Sequence, residues 1–111
     1  MAAKFEMKVA RNGKFRFNLK SGNGQIVITS EMYEKRISAT NGIKSIKKNC
    51  GDDNCFERKV ARNGKPFFVL KAKNGQTIGK SQQYSGNASM EKGIASVKNN
   101  APEAEVKDLT K

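Results

Sequence analysis

The chain has no histidine and no tryptophan, and it carries only two cysteines and two prolines among 111 residues. Without histidine it lacks the commonest general base, the usual activator of a nucleophile and the commonest metal ligand. The cysteines, Cys50 and Cys55, stand as Cys-x4-Cys. That is neither the usual zinc pair nor the Cys-x-x-Cys of a redox centre, and no further soft ligands complete a site. They read as thiols in a reducing cytoplasm, one covering a helix end and the other a strand start. No apolar run approaches the ~18 residues of a membrane helix, and no apolar leader precedes a small-residue cleavage site, so the expectation is a cytoplasmic protein without a membrane role. Acidic residues are also scarce. Ten face 22 lysines and arginines, a net charge of +12, divided as +8 over residues 1–50 (11 basic, 3 acidic) and +4 over residues 51–111 (11 basic, 7 acidic). A field of that sign attracts polyanions and acidic proteins, and it also provides solubility.

What is present is a duplication. Lys8-Val9-Ala10-Arg11-Asn12-Gly13-Lys14 returns unchanged as Lys59-Val60-Ala61-Arg62-Asn63-Gly64-Lys65. An offset of 51 relates residues 5–50 to 56–101 without a gap, and half the pairs (23 of 46) are identical. Units this short rarely stabilise themselves alone. The expectation is one pseudo-symmetric domain over 1–111, with repeat one at 5–50, repeat two at 56–101 and a C-terminal strand at 103–109.

Within each unit the pattern predicts three strands and a helix. Phe5, Met7 and Val9 alternate with Glu6 and Lys8, and Phe15, Phe17 and Leu19 alternate with Arg16, Asn18 and Lys20. Asn12-Gly13 between them signals a hairpin. Residues 25–30 form a third strand, rich in β-branched side chains. Of its apolar positions only Val27, matched by Ile78, is apolar in both units, so Val27 is set inward and Ile26 and Ile28 outward. A helix follows, starting between Glu34 and Ser38, with Ser38 and Ser89 as the expected N-caps. Ala39, Ile43, Ile46 and Cys50, and in the copy Met90, Ile94, Val97 and Ala101, recur at helical spacing. Gly42 and Gly93 inside these helices imply a close approach by a neighbour. The fold class is α+β: tandem β3-α(-β) repeats, one antiparallel sheet, two helices on one face.

The runs Phe5-Glu6-x-Lys8, Asn12-Gly13-Lys14, Phe15-x-Phe17-x-Leu19-Lys20, Asn23-Gly24-Gln25, Ser30-x-x-Tyr33 and Asn41-Gly42-Ile43-x-Ser45-Ile46-Lys47-Lys48-Asn49 together resemble the YegP-like family of small uncharacterised bacterial proteins. Both copies match, over nearly the whole chain. The resemblance implies a β3-α-β unit whose two copies share one sheet and exchange their last strands. It carries no biochemical activity, cofactor or catalytic residue.

Little else offers chemistry. Asn23-Gly24-Gln25 lacks the length and the Lys-Ser/Thr of a phosphate loop. Asp52 and Asp53 are adjacent carboxylates in a linker. Ser30-x-x-Tyr33 and Ser81-x-x-Tyr84 read as a strand-end cap with a packed ring, and a small-molecule enzyme would need a polar cleft around them. The expectation is therefore a non-enzyme, with no metal and no cofactor. The outward sheet face is the candidate surface: Lys8, Arg16, Lys20, Ile26 and Ile28 from unit one, Lys59, Phe67, Val69 and Lys71 from unit two. Cations around an aliphatic patch suit an acidic protein partner. The sharper alternative is single-stranded nucleic acid, with cations along the phosphates and Phe67 stacking on a base. The duplication supplies an internal pseudo-dimer, so the chain is expected to act as a monomer.

Overall fold

Four Asn-Gly turns set the strand boundaries. In a computed structural model, which describes residues 3–110, Gly13, Gly24, Gly64 and Gly75 all adopt positive φ of 80–88°, the left-handed conformation that favours glycine. The asparagines do not share it. Each instead accepts a hydrogen bond from the backbone two residues on, as Asn12 Oδ1 does from Lys14 N at 3.0 Å. The hairpin strands are β1 (Lys4–Val9), β2 (Phe15–Lys20) and β3 (Ile26–Ser30) in unit one, and β4 (Phe56–Val60), β5 (Pro66–Lys71) and β6 (Thr77–Ser81) in unit two.

The two units join edge to edge into one seven-stranded sheet, in the order β4-β5-β6-β3-β2-β1-β7. At the seam Thr29 lies opposite Lys80, with Ile28 opposite Ser81 and Ser30 opposite Gly79. The seventh strand, β7 (Glu105–Asp108), follows a 3₁₀ turn at Ala101–Glu103 and returns to the far edge beside β1. It is the exception to the antiparallel pattern, pairing parallel with β1. A chain leaving α2 (Asn87–Asn100) reaches that edge travelling in the direction of β1, which leaves only the parallel pairing.

α1 (Arg36–Asn49) and α2 pack on the same side of the sheet. Ala39, Ile43, Ile46 and Cys50 from α1 meet Phe5, Phe17 and Leu19, while Met90, Ile94, Val97 and Ala101 from α2 and its end meet Phe56, Phe68 and Leu70 in one continuous core. Burial of each large apolar side chain contributes about 1.5–3 kcal/mol. Both helices start earlier than the serines suggest. Lys35 and Gly86 hold the N-cap positions, neither helix has a side-chain cap, and Ser38 and Ser89 lie in the first turn. The extended segment that carries Tyr33 into a bridge with Phe15 ends directly at Lys35, so the helix begins as soon as that bridge releases the chain. None of these helices is long and apolar enough to cross a membrane.

A bulge changes the reading of β3. The pairing slips between Leu19 and Lys20, so that Leu19 faces Ile28 while Lys20 faces Ile26, and Val27 is the extra residue. A bulge breaks the alternation of faces. Val27 and Ile28 are therefore both in the core, Ile28 with no exposed surface. The outward placement of Ile28 is corrected by this, and only Ile26 stays outside. The same slip occurs between Leu70 and Lys71.

Candidate functional site

Among the described residues, no layer covers the side of the sheet away from the helices. One row of side chains crosses it strand by strand: Glu57, Val69, Lys80, Thr29, Asn18, Glu6 and Lys107. Flanking rows add Lys59 opposite Phe67, Lys8 opposite Arg16, and Lys4 opposite Lys20. Over β1 to β6 this face holds Lys4, Lys8, Arg16, Lys20, Lys59, Lys71 and Lys80 against only Glu6 and Glu57.

Each of those carboxylates is shared by two lysines. Glu6 takes Lys20 at 2.9 Å and Lys4 at 3.5 Å, and Glu57 takes Lys71 at 2.9 Å and Lys59 at 3.6 Å. The Lys20 hydrogen bond foremost, against a smaller opposing effect of burial, holds Glu6 below the usual carboxylate range, and Lys71 does the same for Glu57. Both acids therefore remain ionised and tether lysines without cancelling the face's positive charge. At the centre Asn18 is 4% exposed, and its Oδ1 accepts no hydrogen bond; neither does the buried Nε of Arg16 donate one.

The expected candidates divide on this geometry. Lys8, Arg16, Lys20, Lys59, Lys71 and Phe67 lie on the open face, Phe67 half-buried. Ile26 is at its margin, 40% exposed beside Lys20. Ile28 belongs to the helix-side core. Val69 points to the open side but is only 5% exposed, flanked in register by Glu57 and Lys80. The aliphatic patch expected from Phe67, Val69, Ile26 and Ile28 is thus not assembled. Lys4, Lys80 and the two tethering glutamates were missed as participants. The alternation of Lys4, Glu6 and Lys8 along β1 carried the signal for the first, and the 51-residue offset from Thr29 carried it for Lys80.

The serine and tyrosine of each unit are structural. Ser30 Oγ accepts from Phe17 N at 2.8 Å and donates to the Glu31 carbonyl at 2.8 Å; Ser81 repeats this with Phe68 N and Gln82. The hydroxyls thus bond the neighbouring strand rather than capping a helix. The Tyr33 and Tyr84 rings stack on Phe17 and Phe68. A shallow cleft of ≈ 480 Å³ beside Tyr33 is lined mainly by neutral groups such as Ser38, Asn41, Ser45, Asn74 and Gln76. Burial, reinforced by Glu31, pushes the Tyr33 hydroxyl above its usual pKa, which disfavours the phenolate a nucleophile or base would need. Among the described residues no cluster of three His, Cys, Asp or Glu forms a metal site.

Comparison with known proteins agrees with this architecture. A family described as a domain of unknown function, DUF1508, matches twice, at residues 10–57 and 61–108. The UPF0339 protein YegP of Escherichia coli K12 is 47% identical over 110 residues, covering 99% of this chain and 100% of its own. A UPF0339 protein of Pasteurella multocida is 54% identical over 106 residues, 96% of this chain and 93% of that one. The solution structures of a UPF0339 protein from Shewanella oneidensis and of E. coli yegP, the latter described as a protein of unknown function, each superpose with a TM-score of 0.93. They are 43% and 47% identical to this chain, cover 99% of it, and are themselves covered to 93% and 95%. Two DUF1508 matches in a seven-stranded sheet, with such relatives over nearly the full length, mean that the chain belongs to the YegP-like UPF0339 family in its tandem-repeat form.

Proposed function

We propose that this chain is a non-enzymatic binding module whose open sheet face binds polyanions, single-stranded nucleic acid above all. The observation that carries the reading is the charge of that face, seven cations against two carboxylates over β1 to β6, with Lys107 and Glu105 of β7 adding one of each sign. Burial of Ile28 and Val69 removes the apolar patch that a protein partner would use, and the balance moves toward phosphates. An open sheet face lets cations track a backbone while the half-exposed Phe67 ring offers one stacking position. In this reading the module works as a monomer in the cytoplasm.

The test is fluorescence anisotropy of nuclease-treated protein with labelled single-stranded RNA, single-stranded DNA and duplex DNA across a salt series. If five of the cations meet phosphates, the logarithm of the binding constant should fall against log salt with a slope of about −3.5 on single strands. Lys8→Glu with Arg16→Glu should abolish binding at physiological salt. Phe67→Ala should weaken single strands by about 1–3 kcal/mol and spare duplex. Binding confined to low salt and indifferent to all three substitutions would sink the proposal.

A further inference from the structure

The two ends of the sheet are unequal. β4 is terminal, with no strand on its outer side, whereas at the other end β7 covers β1. β1 and β4 are nevertheless copies of one strand, Phe5-Glu6-Met7-Lys8-Val9 and Phe56-Glu57-Arg58-Lys59-Val60. Each pairs with its hairpin partner in the same register, Phe5 opposite Leu19 and Phe56 opposite Leu70. Under β7 the Met7 carbonyl accepts a hydrogen bond from Leu109 N at 2.9 Å. The pseudo-symmetry turns the Arg58 carbonyl to the bare edge in the same way.

Topology explains the vacancy. The strand after α2 crosses to cover the first strand of the other unit. The strand after α1 is β4 itself, which already serves as the first strand of unit two and cannot also lie beside itself. Among the described residues, unit two therefore has a strand position with no strand in it. The edge has no proline and no bulge in its pairing with β5, and Val60 is 69% exposed, while Glu57, Arg58 and Lys59 give it charge that selects what can add there. Its main departure from β1 is Arg58 in place of the buried Met7, held by Glu91 (Nη2–Oε1 2.9 Å) and Asp53 (Nη2–Oδ1 3.1 Å).

We infer that the β4 edge is a strand-acceptor site for an extended segment of a partner protein, added parallel to β4 as β7 is added to β1. The occupied edge gives the chemistry of that segment. Val106 lies opposite Phe5, Lys107 opposite Glu6 and Asp108 opposite Met7. At β4 the same register asks for an apolar residue opposite Phe56 and a lysine or arginine opposite Glu57, whereas Arg58 already has Glu91 and Asp53 as partners. The pair Val106-Lys107 meets both requirements. In this molecule that segment is committed to β1, so the occupant belongs to another protein. Main-chain bonds would supply affinity, and the charged pair would fix register.

The probe is a synthetic peptide copying residues 101–110, titrated into the ¹⁵N-labelled full chain. Saturable amide shifts at Phe56–Val60 and around Glu91 are expected. Reversing the lysine in the peptide, Lys107→Glu, should weaken binding about tenfold. Glu57→Lys in the protein should restore affinity for a Lys107→Glu peptide, a rescue that a merely destabilised edge would not give. Three results would overturn the inference: no saturable shift up to about millimolar peptide; shifts confined to Lys4–Met7, meaning the peptide only displaces β7; or β4 shifts that change on diluting the chain alone, meaning a second copy holds the edge.

Discussion

Ile28 occupies the space that Gly79 leaves open: a β-carbon on Gly79 would lie 2.8 Å from Cγ2 of Ile28. The two are equivalent positions of the duplicated units, both facing the core where β3 meets β6. One side chain fits there and two do not, so the seam cannot be symmetric. The Thr29 carbonyl, also 2.8 Å from that β-carbon, is backbone and cannot swing aside. Gly79→Ala should therefore cost about 1–3 kcal/mol, measured by urea denaturation. Ile28→Ala should cost about 2–5 kcal/mol through its cavity. The double variant should cost less than the sum, without recovery to wild type because the Thr29 contact persists. Strict additivity would mean that the two do not share this space.

Gly42 and Tyr33 give a second test at a helix. Alanine there should gain about 1 kcal/mol of helix propensity. Its β-carbon, however, would stand 2.7 Å from the Tyr33 hydroxyl and 3.0 Å from Phe17 Cε2. Overpacking wins, and Gly42→Ala should lower stability by about 1 kcal/mol. Removing the hydroxyl with Tyr33→Phe relieves the nearest contact, so Gly42→Ala should cost less in that background. Gly93→Ala should be the worse of the pair, because the Tyr84 hydroxyl is closer still and Cζ follows at 2.7 Å. A stabilised Gly42→Ala protein would show that the tyrosine is not held against the helix.

These glycines also show where the sequence was legible. Gly42 and Gly93 recur inside helical patterns, so a close approach was readable, but the neighbour was not: Tyr33 arrives through its bridge to Phe15, a contact 18 residues distant in sequence. The strands, the core faces of both helices and the duplicated architecture followed from alternation, helical spacing and the offset. Ile28 failed because period-2 reasoning assumes an unbroken ladder, and no local residue announces the bulge at Leu19/Lys20. On the open face the cations were readable from the same alternation, since charged residues next to core positions must point the other way. Val69 was read correctly for direction and wrongly for exposure. Its covering depends on side chains from neighbouring strands, which one strand's sequence does not contain.

Asp53 should govern part of the acid response. Hydrogen bonds from Arg58 first, then Lys98, hold its carboxyl down to about 2, from an ordinary value of 3.8. A carboxyl with a folded pKa below its unfolded one stabilises the fold above the unfolded value, and that contribution disappears as pH falls through the folded value. The window is thus about pH 4 down to about pH 2. Asp53→Asn should have a lower urea midpoint than wild type at pH 6, and the two midpoints should converge toward pH 2. The side chain is more than half exposed, so added salt should shrink the difference. A gap independent of pH would place the effect of the substitution elsewhere than in this ion pair.

Cys50 and Cys55 should be silent thiols until the chain opens. Both are free and buried, and burial is the main force pushing each thiol above its usual pKa, with Asp52 adding to it at Cys55. The reactive species is the thiolate, so low access and a raised pKa act in the same direction. At pH 8 a disulfide reagent such as dithionitrobenzoate should release almost no chromophore from the native protein and two equivalents from the protein in urea. The sites should still differ in rate. Cys50 closes α1 inside the core, with its Sγ directed to the Lys47 carbonyl at 3.7 Å, so its labelling requires the helix end to leave the sheet. Cys55 sits in the short 3₁₀ turn Asp53–Cys55 ahead of β4, a segment that can open without disturbing the rest of the core. Labelling of single-cysteine variants at low urea should therefore be faster at Cys55, and Asp53→Asn, which frees the turn from Arg58 and Lys98, should accelerate Cys55 alone. Equal rates that follow global unfolding would instead mean that the turn and the core open as one unit.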